Sequence, residues 1–378
     1  MNKVGIICEY NPFHNGHIYH LKKVKELYPD SIIILIMSGN FTQRGIPSIM
    51  DKWDKTEIAL KYGIDLVVEL PFAFSTQSAD IFAKGSISLL KELKVDTLVF
   101  GSELNDITYL EKLASVGLSS EYEEEVKKHV NSEVNYPTAL NLAFKKFNLD
   151  GLNNPNDLLA LSYIKEIKKQ QANITPVSIK RTNDYHSLDL DNIASATSIR
   201  TAIIEDKDIS NSVPKETLDI LKKHSFLIND YYNLLKYKIL SCEDLNIYQT
   251  VTTDLAIRIK KEIYNSSSWD ELVNNVKTKH YTYNRINRML IHILCDFTKD
   301  KANSFEEIEY IRILGFSDKG KDYLNKIKKE VSLPIITTFS KGNSKMLDYE
   351  QTISNIYYSI LNDNEYLKKE YKEHVKRG

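Results

Sequence analysis

Four short apolar runs, at 4–8, 32–37, 66–70 and 97–100, constrain this chain more than any other feature. The second reads Ile-Ile-Ile-Leu-Ile-Met, with no polar residue in it. A strand with one face in water alternates apolar and polar residues, whereas a strand covered on both faces reads as an unbroken, β-branched run. The segments between the runs, 17–27, 51–62 and 78–93, carry apolar residues at helical spacing. Strand–helix alternation with short connections builds a parallel, doubly wound sheet, so the expected fold class is α/β.

Residues 119–161 read as helical and more polar, with a turn at Gly151-Leu152-Asn153-Asn154-Pro155-Asn156. A fifth strand is expected at 175–179, then a polar loop, then a helix from Ser195. Beyond residue 205 no parallel-strand series returns, and Leu, Ile, Lys, Glu and Tyr recur at helical spacing, as in 217–227 and 231–240. A chain of 378 residues is long for one domain. The expected division is 1–205 for the α/β unit and 206–378 for a mostly α-helical one. With 50 basic and 51 acidic residues the formal net charge is -1, which neither announces nor excludes a nucleic-acid partner. Cys8, Cys242 and Cys295 form no C-x-x-C pair, so neither a disulfide framework nor a thiolate metal site is expected. The first residues run straight into a strand without a cleavable leader, and no stretch has the length of a membrane span. A soluble, cytoplasmic protein that uses neither membrane nor DNA is expected.

The sharpest chemical signal is His14-Asn15-Gly16-His17, directly after the first strand and leading into a helix. A strand-to-helix turn at the carboxyl edge of a parallel sheet is where such folds hold nucleotides. Gly16 allows close backbone approach, and free amides at a helix start attract phosphate. Two imidazoles there can donate hydrogen bonds to phosphate oxygens as negative charge builds during attack on phosphorus. Without that placement, His14 and His17 would read as a loop residue and a helix cap. The second signal is Ser195-Ala196-Thr197-Ser198-Ile199-Arg200. Ser195 or Thr197 can cap a helix whose hydroxyls and amides hold phosphate while Arg200 neutralises charge. Alone this is an ordinary helix start. Ser344-Lys345-Met346, which resembles part of the lysine-rich loop of class I aminoacyl-tRNA synthetases, lacks the second lysine and reads as surface sequence.

Together the two signals resemble the nucleotidyltransferase superfamily. Longer strings narrow the likeness: Glu9-Tyr10-Asn11-Pro12-Phe13-His14-Asn15-Gly16-His17, Met37-Ser38-Gly39-Asn40-Phe41, Gln43-Arg44-Gly45, Phe100-Gly101-Ser102-Glu103 and Ala194-Ser195-Ala196-Thr197-Ser198-Ile199-Arg200. With Lys279-His280-Tyr281-Thr282-Tyr283-Asn284-Arg285-Ile286-Asn287-Arg288 they resemble the bacterial tRNA(Met) cytidine acetate ligases along nearly the whole chain. The resemblance implies a Rossmann-like nucleotidyltransferase domain followed by a mostly α-helical one. It also implies an AMP-forming ligase that activates acetate with ATP, together with Mg²⁺, to acetyl-adenylate. The acetyl group then passes to N4 of the wobble cytidine of elongator tRNA(Met). By this likeness His14, His17 and Arg200 are catalytic. The ATP site is the segment from Ile7 to His20 with Gly101, Asn156, Arg181, Ser195, Thr197 and Ser198. The family's Pro-Asn-Asn-Ile-Leu-Gly reads here Pro155-Asn156-Asp157-Leu158-Leu159-Ala160, which leaves open whether the asparagine contact belongs to position 156 or 157.

Arg44 suits an acetate carboxylate, a tRNA phosphate or plain solvent. From 277 to 295 the chain has no acidic residue, and basic and aromatic side chains interleave. That composition fits RNA contact, with Lys279, Arg285 and Arg288 as the tRNA-binding residues, or one basic face of an amphipathic helix. Other readings of the same motifs are a small-molecule adenylyltransferase, a carboxylate–amine ligase of the same superfamily, and a non-catalytic RNA-binding protein.

Overall fold

The computed structural model describes residues 2–130, 134, 136–181 and 194–378. Its strands are β1 (Lys3–Cys8), β2 (Ile32–Ser38), β3 (Leu66–Leu70), β4 (Thr97–Ser102), β5 (Thr175–Lys180), β6 (Ile311–Phe316), β7 (Ile335–Ile336) and β8 (Lys376–Arg377). They form one sheet in the order β5-β4-β1-β2-β3-β6-β7, with β8 also pairing β6. The first five are parallel, as expected, and every residue of β2 and β3 is buried. Helices cover both faces, which is why these strands can be apolar at consecutive positions. Successive strands β2 and β3 are laid on one side of β1, and β4 and β5 on the other. The switch point therefore lies between β1 and β4, and a crevice must open at their carboxyl ends. Most of the polar loop expected after residue 179, namely 182–193, lies outside the described residues.

The second half of the chain is mostly helical but is not confined to helices. β6 joins the sheet antiparallel to β3, setting Arg312 opposite Glu69. Sequence patterning hides this strand because a buried arginine interrupts its apolar run. Arg312 is tolerated there beside Glu370, 3.8 Å away, with Lys52 bridging Glu69 at 2.7 Å and also pairing with Glu370. Helices of the second half seat on the same sheet. Tyr357 donates to the Ser48 carbonyl at 2.7 Å, Asn40 to Ser354 Oγ at 2.9 Å, and the Phe72 amide to Glu350 at 2.6 Å. Ser344-Lys345-Met346 is not surface sequence: Ser344 caps the Lys345–Tyr358 helix and Met346 is buried, so the motif serves packing.

Candidate active site

Two helix starts meet over the switch point. α1 (Asn15–Leu27) begins soon after β1, and the Ala196–Ile204 helix approaches from the far side. Between them is a cleft of about 250 Å³, floored by Ile7, Cys8, Phe100 and Gly101 at the ends of β1 and β4.

The α1 start is held by a reciprocal cap. His14 is its N-cap, and its Nδ1 accepts from the Gly16 amide at 3.0 Å, while His17 Nδ1 accepts from the His14 amide at 3.2 Å. An imidazole nitrogen that accepts carries no proton, so each neutral ring is protonated at Nε2. Both rings are neutral in the closed cleft. Burial, then the charges of Arg181 and Arg200, bring His14 down to about 3. Burial likewise holds His17 well below the usual imidazole range and brings His20 to about 4. The His14 and His17 ring centroids are 3.9 Å apart, and Tyr10 and Phe13 pack on His17 at 4.7 and 5.6 Å. The result is two fixed N–H donors at a helix start.

The second helix start is tied to the first. Ser195 caps it, accepting from the Ser198 amide at 3.1 Å, while Ser198 Oγ donates back to the Ser195 carbonyl at 2.8 Å. Arg200 Nη1 donates to the Asn11 carbonyl at 2.6 Å, and its Nη2 donates to Thr197 Oγ1 at 3.3 Å. Arg44 Nη1 donates to the same Thr197 hydroxyl at 3.1 Å. Below them, buried Lys55 donates to the carbonyls of Glu9, Ser38 and Gly39, joining the carboxyl ends of β1 and β2. Burial outweighs the attraction of Glu9 and brings that ammonium down to about 8.

Among the described residues, the charged side chains lining the cleft are Arg44, Lys180, Arg181 and Arg200 against the single carboxylate of Glu9. Glu9 is already engaged, its Oε1 accepting from the Gln43 amide at 2.7 Å and Ser38 Oγ at 3.1 Å. Four cations and two neutral N–H donors make an anion site of a shape suited to polyphosphate. Apolar walls from Phe82, Leu159 and Tyr163 leave room for an uncharged ring or methyl group.

Of the residues singled out in the sequence, Ile7, Cys8, Glu9, Tyr10, Asn11, His14, Gly16, His17, Tyr19, His20, Gly101, Asn156, Arg181, Ser195, Thr197 and Arg200 line the cleft. Pro12, Phe13, Asn15, Ile18 and Ser198 do not; they brace it. Asn15, for instance, turns away, its Nδ2 donating to the Asn211 carbonyl at 2.8 Å. Positions 156 and 157 face different ways. Asn156 lines the cleft and donates to Glu103, whereas buried Asp157 accepts from Ser102 Oγ at 2.5 Å and the Glu103 amide at 3.0 Å. Sequence reasoning misses Tyr163 and Lys180: the first sits on a helix that reads only as packing, and the second is overshadowed by its neighbour Arg181.

Lys279, Arg285 and Arg288 lie outside the cleft lining. Lys279 and His280 are exposed, Arg285 lies over the Tyr281 ring at 4.6 Å, and Lys277 lies over half-exposed Tyr283 at 4.9 Å. Arg288 is different. Half-buried, it donates to the Gln43 carbonyl at 3.1 Å, and burial followed by the Arg285 charge brings its guanidinium down to about 10. His292 in the same segment is fully buried, with its Nε2 2.7 Å from the Thr76 carbonyl.

A HIGH Nucleotidyl Transferase family model matches residues 1–373. The chain is 40% identical over 380 residues to the tRNA(Met) cytidine acetate ligase of Thermoanaerobacter sp. (strain X514), covering 94% of this chain and 95% of the relative. It is 37% identical to the ligase of the same name from Fusobacterium nucleatum, with the same coverage. Among solved structures it superposes on apo TmcAL of Thermotoga maritima with a TM-score of 0.92 at 29% identity, covering 100% of this chain and 99% of the other. The crystal structure of that protein bound with alpha-thio ATP gives 0.90 at 30% identity, covering 100% of both chains. Two histidines capping the helix after the first strand, an arginine-bearing helix start facing them, and likeness over almost the full length agree: the chain belongs to the tRNA(Met) cytidine acetate ligase family of HIGH nucleotidyltransferases.

Proposed function

We propose that the cleft binds ATP and acetate and forms acetyl-adenylate, and that the acetyl group then passes to N4 of the wobble cytidine of elongator tRNA(Met). In the first step an acetate oxygen attacks the α-phosphorus, a phosphorus–oxygen bond forms, and the bond to pyrophosphate breaks. This step needs alignment and charge neutralisation rather than a covalent enzyme intermediate. His14 and His17 supply neutral Nε2–H donors to the phosphates, and Arg200 supplies positive charge from the opposite helix. Ser195, Thr197, Asn156, Gly101 and Arg181 complete the nucleotide's surroundings. In the second step the cytosine amine attacks the acetyl carbon, AMP leaves, and the amine's proton passes to solvent. An anticodon loop presents such a base without opening a duplex.

The observation that carries this reading is the pair of Nε2-protonated imidazoles facing Arg200 in a cleft lined by four cations and one occupied carboxylate. Mg²⁺ fits as a companion of the nucleotide's own phosphates. Glu9 is the one carboxylate lining the cleft among the described residues, and its Oε1 is taken, so no protein cage for the ion is offered. The ion would neutralise phosphate charge. Residues 1–205 form the adenylating unit in this reading, and 206–378 carry the RNA-facing surface around Lys279 and Arg285. The setting is a cytoplasmic one, and no helix among the described residues is long and apolar enough to cross a membrane.

ATP–pyrophosphate exchange in the absence of RNA tests the first step. Exchange that requires acetate is expected. Exchange that is absent, or that proceeds equally without acetate, would overturn the reading.

A further inference from the structure

The loop 43–45 that brings Arg44 to the cleft is not anchored by the α/β half alone. A Cβ built on Gly45 would lie 2.1 Å from the Arg288 backbone nitrogen and 2.5 Å from its Cα, so the loop's backbone rests directly on the backbone of the Tyr283–Leu294 helix. Gly45 also has φ +75°, a conformation that disfavours any side chain. Beside this contact Arg288 donates to the Gln43 carbonyl at 3.1 Å, while the Gln43 amide donates to Glu9 at 2.7 Å. Gln43 is therefore gripped at both ends, by β1's exit on one side and by the second half's helix on the other. The next residue, Arg44, reaches Thr197 Oγ1, which Arg200 also holds. The helix is itself fixed beneath the contact, since Trp269 Nε1 donates to Asn287 Oδ1 at 3.0 Å.

We infer that Arg288 and Gly45 form a joint that sets Arg44 beside Thr197 and Arg200, making Arg288 a positioning residue for adenylate formation rather than an RNA contact. The inference rests on the adenylation reading of the cleft. The same helix, Tyr283–Leu294, carries Arg285 in its first turn and Arg288 in its second. Misplacing a reacting or neutralising group by about 1 Å can cost about 10²-fold in rate. A lysine at 288 can still donate to the Gln43 carbonyl, whereas alanine cannot.

The test compares acetate-dependent ATP–pyrophosphate exchange, with kcat and KM for acetate and ATP resolved, in wild type, Arg288→Ala, Arg288→Lys, Arg44→Ala and the Arg44→Ala/Arg288→Ala double variant. Thermal unfolding is followed alongside. Expected are a loss of about 10- to 100-fold in Arg288→Ala, substantial recovery in Arg288→Lys, and a double variant no worse than Arg44→Ala alone. Losses that multiply in the double variant would overturn the inference, because Arg288 would then act by a route that bypasses Arg44. Should Arg288→Ala fail to fold, Gly45→Ala replaces it: its Cβ must push the loop off the helix, and an undiminished rate there would overturn the joint. Wild type decides between the two readings, since no acetate-dependent exchange from it sinks the proposed function, whereas exchange that Arg288→Ala leaves intact sinks this inference alone.

Discussion

His14 and His17 have opposite requirements to meet, and their geometry reconciles them. A histidine at physiological pH is useful near phosphate as a donor, yet burial, with Arg181 nearby, strips the charge of both rings. Engaging each Nδ1 with a backbone amide keeps the proton on Nε2 without any ionisation. The expected outcome in ¹⁵N-resolved imidazole spectra is two neutral Nε2–H rings that remain so from pH 8 down to below the usual histidine range. Because the folded value is depressed, the stability tied to neutral His14 is present above the unfolded value and is lost as pH falls from there towards about 3. Rings that titrate near 6.5 would contradict this arrangement. His17→Ala should lower adenylate formation by about 10²–10³ while leaving a folded protein. Thermal unfolding of the variant checks the second half of that statement, since removing the ring that packs on Tyr10 and Phe13 also costs something. At this scale the motif positions are legible in the sequence, because strand, turn and helix start follow one another in close order. What is not legible is which neighbours brace rather than line: Ser198 and Asn15 stand inside the motifs but bond away from the cleft.

Among the elements, β1 to β4 are legible from short apolar runs, buried at every residue in β2 and β3, whereas β5 is only half-buried and partly polar, and β6 is hidden by Arg312. The arginine is tolerable only in company. Lys52 and Arg312 balance Glu69 and Glu370 in the buried layer between β3, β6 and the chain's last helical turns. Glu350 adds a third carboxyl to that layer, accepting from the Phe72 amide. Burial first, then the charge of Glu69, holds Glu350 well above the usual carboxylate range, which favours its neutral form in that layer. A raised carboxyl binds its proton more tightly folded than unfolded. Stability from it is thus fully present below the unfolded value and declines as pH rises through the folded one. Glu350→Gln keeps the acceptor for Phe72 and removes the ionisation. The expected result is a flatter fall of the unfolding temperature with rising pH, not an abolished one, because burial raises Glu69 in the same direction. An unchanged slope would mean that Glu350 is already ionised in the folded protein.

For the molecule as a whole, the two halves share one sheet and the large apolar cluster on it, and the proposed function divides the nucleotide from the tRNA between them. The polar groups that line the cleft from its two helix starts belong to α1 and the Ala196–Ile204 helix, whereas the exposed cation–aromatic turn at 277–285 belongs to the second half. A one-dimensional reading can see that the segment is basic, but not that its cations have separate fates. Lys279 stands in solvent, Arg285 lies on Tyr281, and Arg288 is drawn inward to Gln43. Replacing Lys279 and Arg285 by alanine, with Arg288 kept, should therefore weaken tRNA acetylation while sparing adenylate formation. Removing one cation that pairs with a phosphate of single-stranded RNA should lower the log–log salt dependence of tRNA binding by about 0.7. With both cations removed the slope should fall by about 1.4 by the same rule. Arg285→Ala also frees the Tyr281 ring, whose hydroxyl still donates to Asp254 at 3.1 Å, so the turn keeps an anchor and the weakening is read as missing phosphate pairing rather than collapse. The measurements are adenylate formation without RNA and acetyl transfer with it, each across a salt series. Equal losses in both would make these residues supports of the cleft, and an unchanged affinity and slope would move the RNA surface elsewhere. The expected split, transfer impaired and activation intact, follows from a cleft at the carboxyl ends of β1 and β4 and exposed cations near a helix start of the other half.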